Sequence, residues 1–158
     1  MIPPAPINLK NKKAWCQVPR DLSLYLIEDY PKCESLFRPQ QYIDGMALHP
    51  DCSFLFAHSD RYFFIIHVAL DDKGFFYYGY ELDEPDHGGG CYPSPKWRDH
   101  KKARTLRKCL LNALNHIKQM SFYHGHPPYP LYVRAATEAL PKLYKQRPRQ
   151  MSIFDIID

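Results

Sequence analysis

Arg61–Leu70 (RYFFIIHVAL), Asp71–Gly74 (DDKG) and Phe75–Leu82 (FFYYGYEL) decide the fold. Both flanking runs are rich in aromatic and β-branched residues, which suit a pleated, half-buried surface. The four residues between them supply turn-forming acids and a glycine able to take positive φ. Together they predict a β-hairpin. Upstream, Gly45–His49 and Ser53–His58 are short apolar runs parted by the turn-like Pro50-Asp51, and they predict further strands. Ala14–Val18 reads as another short strand, ended by Pro19. Asp21 is a plausible N-cap, and Leu22, Tyr25, Leu26 and Tyr30 recur at helical spacing before Pro31, so a helix is expected there.

Downstream of the hairpin, Gly88-Gly89-Gly90 punctuates the chain and predicts a mobile loop. No Gly-Lys-Ser/Thr follows, so a phosphate-cradling P-loop is not indicated. Ser94 can cap a helix and Pro95 suits its first position; the chain then runs without Gly or Pro to Met120. Ala103, Leu106, Leu110, Ala113, Ile117 and Met120 step by three or four, a narrow stripe suited to covering a sheet. The stripe lasts under three heptads, short for a coiled coil, and the sequence fixes no oligomeric state. A second helix is expected over about 131–140, with Leu131, Ala135, Ala139 and Leu140 on one side and Pro141 bending or ending it. The expected fold class is α+β: an antiparallel sheet of three to five strands packed against one long helix and a shorter C-terminal helix. Residues 1–13 read as a flexible lead-in, 14–141 as a single domain, and 142–158 as a basic linker and docking peptide.

At 158 residues, 45% hydrophobic and 15% aromatic, the chain can bury a core without metal or disulfide staples. No apolar run reaches the roughly 20 residues that span a bilayer, and no secretory leader is legible, which leads to an expected soluble, cytoplasmic protein. Cys16, Cys33, Cys52, Cys91 and Cys109 are widely and irregularly spaced, and read as small buried hydrophobes. The net charge of +4 conceals an asymmetry. Residues 14–94 carry 5 basic against 13 acidic residues, a balance of −8, whereas residues 95–149 carry 13 against 2, a balance of +11. Lys96, Arg98, Lys101, Lys102, Arg104, Arg107 and Lys108 crowd the first half of the expected long helix. Their charge adds to the positive end of the helix dipole, which costs stability, so retention for phosphate binding is a reasonable reading. DNA or RNA is the partner class they suggest, with Phe63, Phe75, Phe76, Tyr77, Tyr78 and Tyr80 as candidate stacking residues on the two sheet faces.

Two other chemistries compete with this reading. His87, Cys91, His124 and His126 are metal-capable but lack the close ligand pairs of a zinc site. Glu81, Asp83, Glu84 and Asp86 could hold a divalent cation through oxygen, the mark of a small metal-dependent nuclease. No hydrolase, zincin, kinase or Walker signature is present, no catalytic residue is assigned, and no cofactor is indicated.

The C-terminus carries the most specific signal. Gln150-Met151-Ser152-Ile153-Phe154 resembles the short linear motif by which bacterial DNA polymerases, repair proteins and replication regulators dock onto the sliding clamp. That pattern is Gln, then Leu or Met, then Ser or Asp, then Leu or Ile, then Phe, and all five positions agree. The resemblance implies a bacterial sliding clamp as partner and a non-enzymatic accessory role in the DNA metabolism of a bacterium, phage or plasmid. Packing of this peptide on its own domain is the competing reading, which Ile156 and Ile157 support by extending the apolar stretch. The acidic surplus of residues 14–94 keeps open a counter-defence protein that inhibits a host factor by surface binding.

Overall fold

The computed structural model describes residues 4–7, 23–58, 63–83, 88–96, 102–124 and 129–145. Within them lie strands β1 (Leu24–Leu26), β2 (Cys52–His58), β3 (Phe63–Leu70), β4 (Phe76–Asp83) and β5 (Gly88–Cys91). The helices are a single turn, α1 (Tyr30–Cys33), and two long ones, α2 (Leu106–His124) and α3 (Tyr129–Lys145). The fold is α+β, with one open sheet in the order β1-β2-β3-β4-β5. The β3–β4 hairpin forms as its sequence predicts, in register from Leu70↔Phe76 to Phe63↔Asp83. Asp71 builds the turn: one carboxylate oxygen accepts from the backbone N–H of Lys73 and of Phe75, each at 2.9 Å, and Gly74 takes φ +87°.

The sheet is mixed rather than purely antiparallel, because β1 pairs parallel with β2. A parallel pair needs a crossover of a dozen or more residues, and residues 27–51 provide it. Ile27, Tyr30, Cys33 and Phe37 from this crossover join the main core. Of the helix expected from Asp21 to Tyr30, Asp21 and Leu22 lie outside the described residues and the rest is a strand followed by tight turns: the spacing of Tyr25, Leu26 and Tyr30 is real, but pairing with Ser53–Leu55 claims Leu24–Leu26. The strand expected at Gly45–His49 is instead a turn and coil, with Gly45 at φ +85°. Ala14–Val18 lies outside the described residues.

Strand alternation divides the core into two layers. Phe54, Phe64, Ile66, Val68, Tyr78 and Leu82 face the helices, where Leu106, Leu110, Ala113, Leu114, Ile117, Ala136, Ala139 and Leu143 meet them. Burying each large apolar side chain contributes roughly 1.5–3 kcal/mol. The opposite face carries two smaller clusters: Leu24, Leu55, Phe63 and Ile65 with Ile7, and Leu48, Ala69 and Tyr77 with Tyr42 and Phe75. β3 is thus covered on both sides, which explains its unbroken apolar run.

Three boundaries depart from expectation. α2 starts at Leu106, with the Thr105 hydroxyl accepting from Lys108 N–H at 3.1 Å, rather than at Pro95. Ala103 instead exchanges both backbone hydrogen bonds with Phe76, at 2.7 and 3.0 Å, which holds this segment extended beside β4. α3 runs through Pro141 to Lys145, because Leu143, one turn beyond Ala139, is fully buried and anchors the last turn. Gly88–Cys91 is an edge strand, not a loop. A Cβ on Gly90 would collide with the Tyr80 carbonyl oxygen and stand 2.8 Å from Glu81 Cα, so glycine is what admits β5 to the sheet.

Candidate functional site

The Ala103–Phe76 bridge sets the geometry of the cationic surface. In an extended segment, residues on either side of a core-facing position share the outer side. Ala103 is buried in the main core, while Lys102 and Arg104 are exposed. Both turn to the half-buried Phe75 ring, with Lys102 Nζ 4.4 Å and Arg104 Cζ 5.7 Å from its centroid. Each such contact at an exposed site is worth about 0.5–1 kcal/mol and restrains a long side chain. Lys73 is exposed in the adjoining turn. Among the described residues, no carboxylate forms an ion pair with Lys73, Lys102 or Arg104; the carboxylates in such contact are Glu81, with the His67 imidazole, and Glu28, with Lys142.

The seven basic residues of the expected helix thus separate. Lys96 is exposed in a turn after β5, and its N–H donates to the Ser94 hydroxyl. Lys102 and Arg104 form the exposed pair, Lys108 is half-buried in the first turn of α2, and Arg107 is 8% exposed within the protein. Arg98 and Lys101 lie outside the described residues, as do Gln150, Met151, Ser152, Ile153 and Phe154. Of the candidate stacking aromatics, Phe63, Tyr77 and Tyr78 are buried and Phe75, Phe76 and Tyr80 are half-buried, so none of the six is an open platform; Tyr92, after β5, is exposed. Burial pushes the Tyr77 phenol up to about 12, reinforced by the neighbouring Asp71 carboxylate, to which it hydrogen-bonds.

A second constellation, which motif reading missed, crosses the sheet face opposite the helices. The register places Ser53 of β2 opposite His67 of β3, and His67 opposite Gly79 of β4, one diagonal from Glu81. Ser53 Oγ lies 2.7 Å from His67 Nδ1, and His67 Nε2 lies 3.0 Å from Glu81 Oε2. A proton on Nε2 donated to the carboxylate leaves Nδ1 to accept the Ser53 hydroxyl. The Tyr92 ring lies on the imidazole, with centroids 5.3 Å apart. Gly79 permits this cover, since a Cβ there would run into the Cys91 carbonyl oxygen and come within 2.7 Å of Tyr92 backbone carbon. Chemically this is a hydroxyl–imidazole–carboxylate line of the kind that can activate a serine. Here, however, Ser53 and His67 are each 1% exposed and only Glu81 reaches solvent, so the line acts as a buried polar tie across three strands.

Among the described residues, the remaining candidates do not assemble. Glu81 is engaged by His67, Asp83 ends β4, and Glu84, Asp86, His87 and His126 lie outside the described residues. Cys91 is half-buried at the end of β5 and His124 ends α2. Among the described residues, no three metal-capable side chains come together. Cys33, Cys52, Cys91 and Cys109 are free thiols. Cys52 is held well above the usual thiol range by its hydrogen bond with Cys33 and by burial, and burial alone raises Cys109, so Cys52 and Cys109 are poorly reactive; the same hydrogen bond lowers Cys33, which is itself fully buried. Among the described residues, no helix is long and apolar enough to cross a membrane. No protein-family model, curated protein or solved structure matches this chain.

Proposed function

We propose that this chain is a non-enzymatic accessory or regulatory protein of bacterial, phage or plasmid DNA metabolism. It docks on the DNA sliding clamp through Gln150–Phe154 and turns its basic surface towards nucleic acid. The observation that carries the reading is the agreement of all five residues with the clamp-docking pattern. Gln150 supplies hydrogen bonds for a small polar pocket, while Met151, Ile153 and Phe154 supply apolar anchors for a groove. Phe gives rigid contact area at low entropic cost, and Met adapts to the groove wall. Among the described residues, the last core member is Leu143 and α3 ends at Lys145, which leaves four residues, Gln146-Arg147-Pro148-Arg149, before the motif. Their polar, proline-containing character suits a tether, and their charge favours approach to an acidic surface.

The test is capture of the full chain on a purified bacterial sliding clamp, wild type beside the Gln150→Ala/Phe154→Ala double variant. Wild type is expected to be retained and the variant lost. Equal retention of the two removes the docking role.

A further inference from the structure

We propose that Lys102 and Arg104, gathered on Phe75, with Lys73 in the adjoining turn, form a contact site for the phosphate backbone of double-stranded DNA. The inference rests on the DNA-metabolism reading and names which of its basic residues meet the polymer and in what form. Three features of the fold support it.

The first is pre-organisation. Lys102 and Arg104 sit on an extended segment whose central residue, Ala103, is bonded on both sides to Phe76. Two residues apart on such a segment, their backbone positions are roughly 6.8 Å apart, a separation of the same order as that of neighbouring phosphates along one strand. Their heads are already gathered on one aromatic ring, so little side-chain freedom remains to be lost on binding. The second is availability. Lys73, Lys102 and Arg104 are exposed and have no carboxylate partner among the described residues; Asp72 shares the Lys73 turn, but no ion pair joins them. Arg107, by contrast, is withdrawn into the protein. The third is the form of nucleic acid. Single strands are held by bases stacked on open aromatic faces. The described aromatics of the strands are buried or half-buried, the exposed Tyr92 ring after β5 lies against His67 rather than beside Phe75, and the Phe75 ring already carries cations. A site of cations without stacking surfaces reads the backbone alone, and its partner is a duplex.

Fluorescence anisotropy with a labelled 30-base-pair DNA duplex, the matching single strand, and a duplex RNA of the same length tests this across a salt series. Wild type is expected to bind duplex DNA more tightly than the single strand. Its log–log salt slope should be steeper by about 1.8 than that of the Lys102→Ala/Arg104→Ala variant, since each phosphate contact contributes about 0.9. Between 50 and 200 mM salt, wild type should then lose about tenfold more affinity than the variant. Both positions are exposed, and a cooperative circular-dichroism melt, lowered by no more than the loss of the two Phe75 contacts implies, verifies that the variant is folded. Clamp capture of this variant should be undiminished, and the Phe154→Ala chain should keep its DNA affinity, so the two readings fail separately. Equal slopes, tighter binding of the single strand or of the RNA duplex, or no binding of duplex DNA at 50 mM salt would each overturn the assignment.

Discussion

Removing both ends of the Ser53–His67 hydrogen bond should cost less than the sum of removing each end alone. Ser53 and His67 are each 1% exposed, their polar atoms stand 2.7 Å apart, and apolar clusters flank them on the same face. Ser53→Ala strands the imidazole Nδ1 at a buried position, at about 1–3 kcal/mol. His67→Leu strands the Ser53 hydroxyl at a similar cost; Glu81, whose side chain is 28% exposed, can turn to solvent. The double variant Ser53→Ala/His67→Leu leaves apolar groups facing each other on adjacent strands. Its loss should fall short of the sum of the single losses by about 1 kcal/mol or more, within the range found for residues in direct contact. Equilibrium urea unfolding of the four proteins measures this, with a common m-value required for the comparison. Losses that add, or single variants within about 0.5 kcal/mol of wild type, would show that the polar row does not hold the strands together. The row also fixes register: a one-residue slip of β3 would carry His67 to the helix-covered face.

Two further outcomes follow from the same face. Gly79→Ala should destabilise by about 1–3 kcal/mol, since the added methyl meets backbone of Cys91 and Tyr92 rather than a mobile side chain; a thermal melt matching wild type would show that the crossing chain yields freely. Tyr77 has its phenol raised to about 12 in the folded state against about 10 in the unfolded chain. Its stabilising share is therefore complete below pH 10 and is lost as pH rises towards 12. Melting temperatures of wild type should fall more steeply than those of Tyr77→Phe across that window, and parallel curves would contradict the assignment.

Much of this architecture could be read in the sequence where local and global preferences agree. Asp71–Gly74 specifies its own turn, and the Leu106, Leu110, Ala113 and Ile117 stripe enters the core as its spacing implies. Reading failed where a distant partner decided the outcome. Nothing local reveals that Ala103 pairs with Phe76, so the basic run before Leu106 looked like the start of the helix. The glycine triplet resembled a loop because pairing with β4, and the close approach of Gly90 to Tyr80 and Glu81, are set by a distant strand that no pattern within residues 88–90 displays. Pro141 looked like a helix end because the burial of Leu143 beyond it depends on tertiary packing. Charge was legible as charge, but not which cations reach solvent: Arg107 is buried and Arg104 is not. The polar row was hidden by separation, Ser53, His67 and Glu81 being 14 positions apart in turn. Counting register outward from the Asp71 turn places Glu81 diagonal to His67, and a lone histidine in an apolar strand was the signal to follow.

The most direct measurement is a binding titration of purified bacterial sliding clamp into the labelled full-length chain, repeated with excess synthetic peptide spanning residues 146–158. Saturable binding that the peptide reverses, and that a peptide carrying Gln150→Ala and Phe154→Ala leaves intact, is the predicted result. Absence of binding, or binding indifferent to the unaltered peptide, would contradict a role built on Gln150–Phe154.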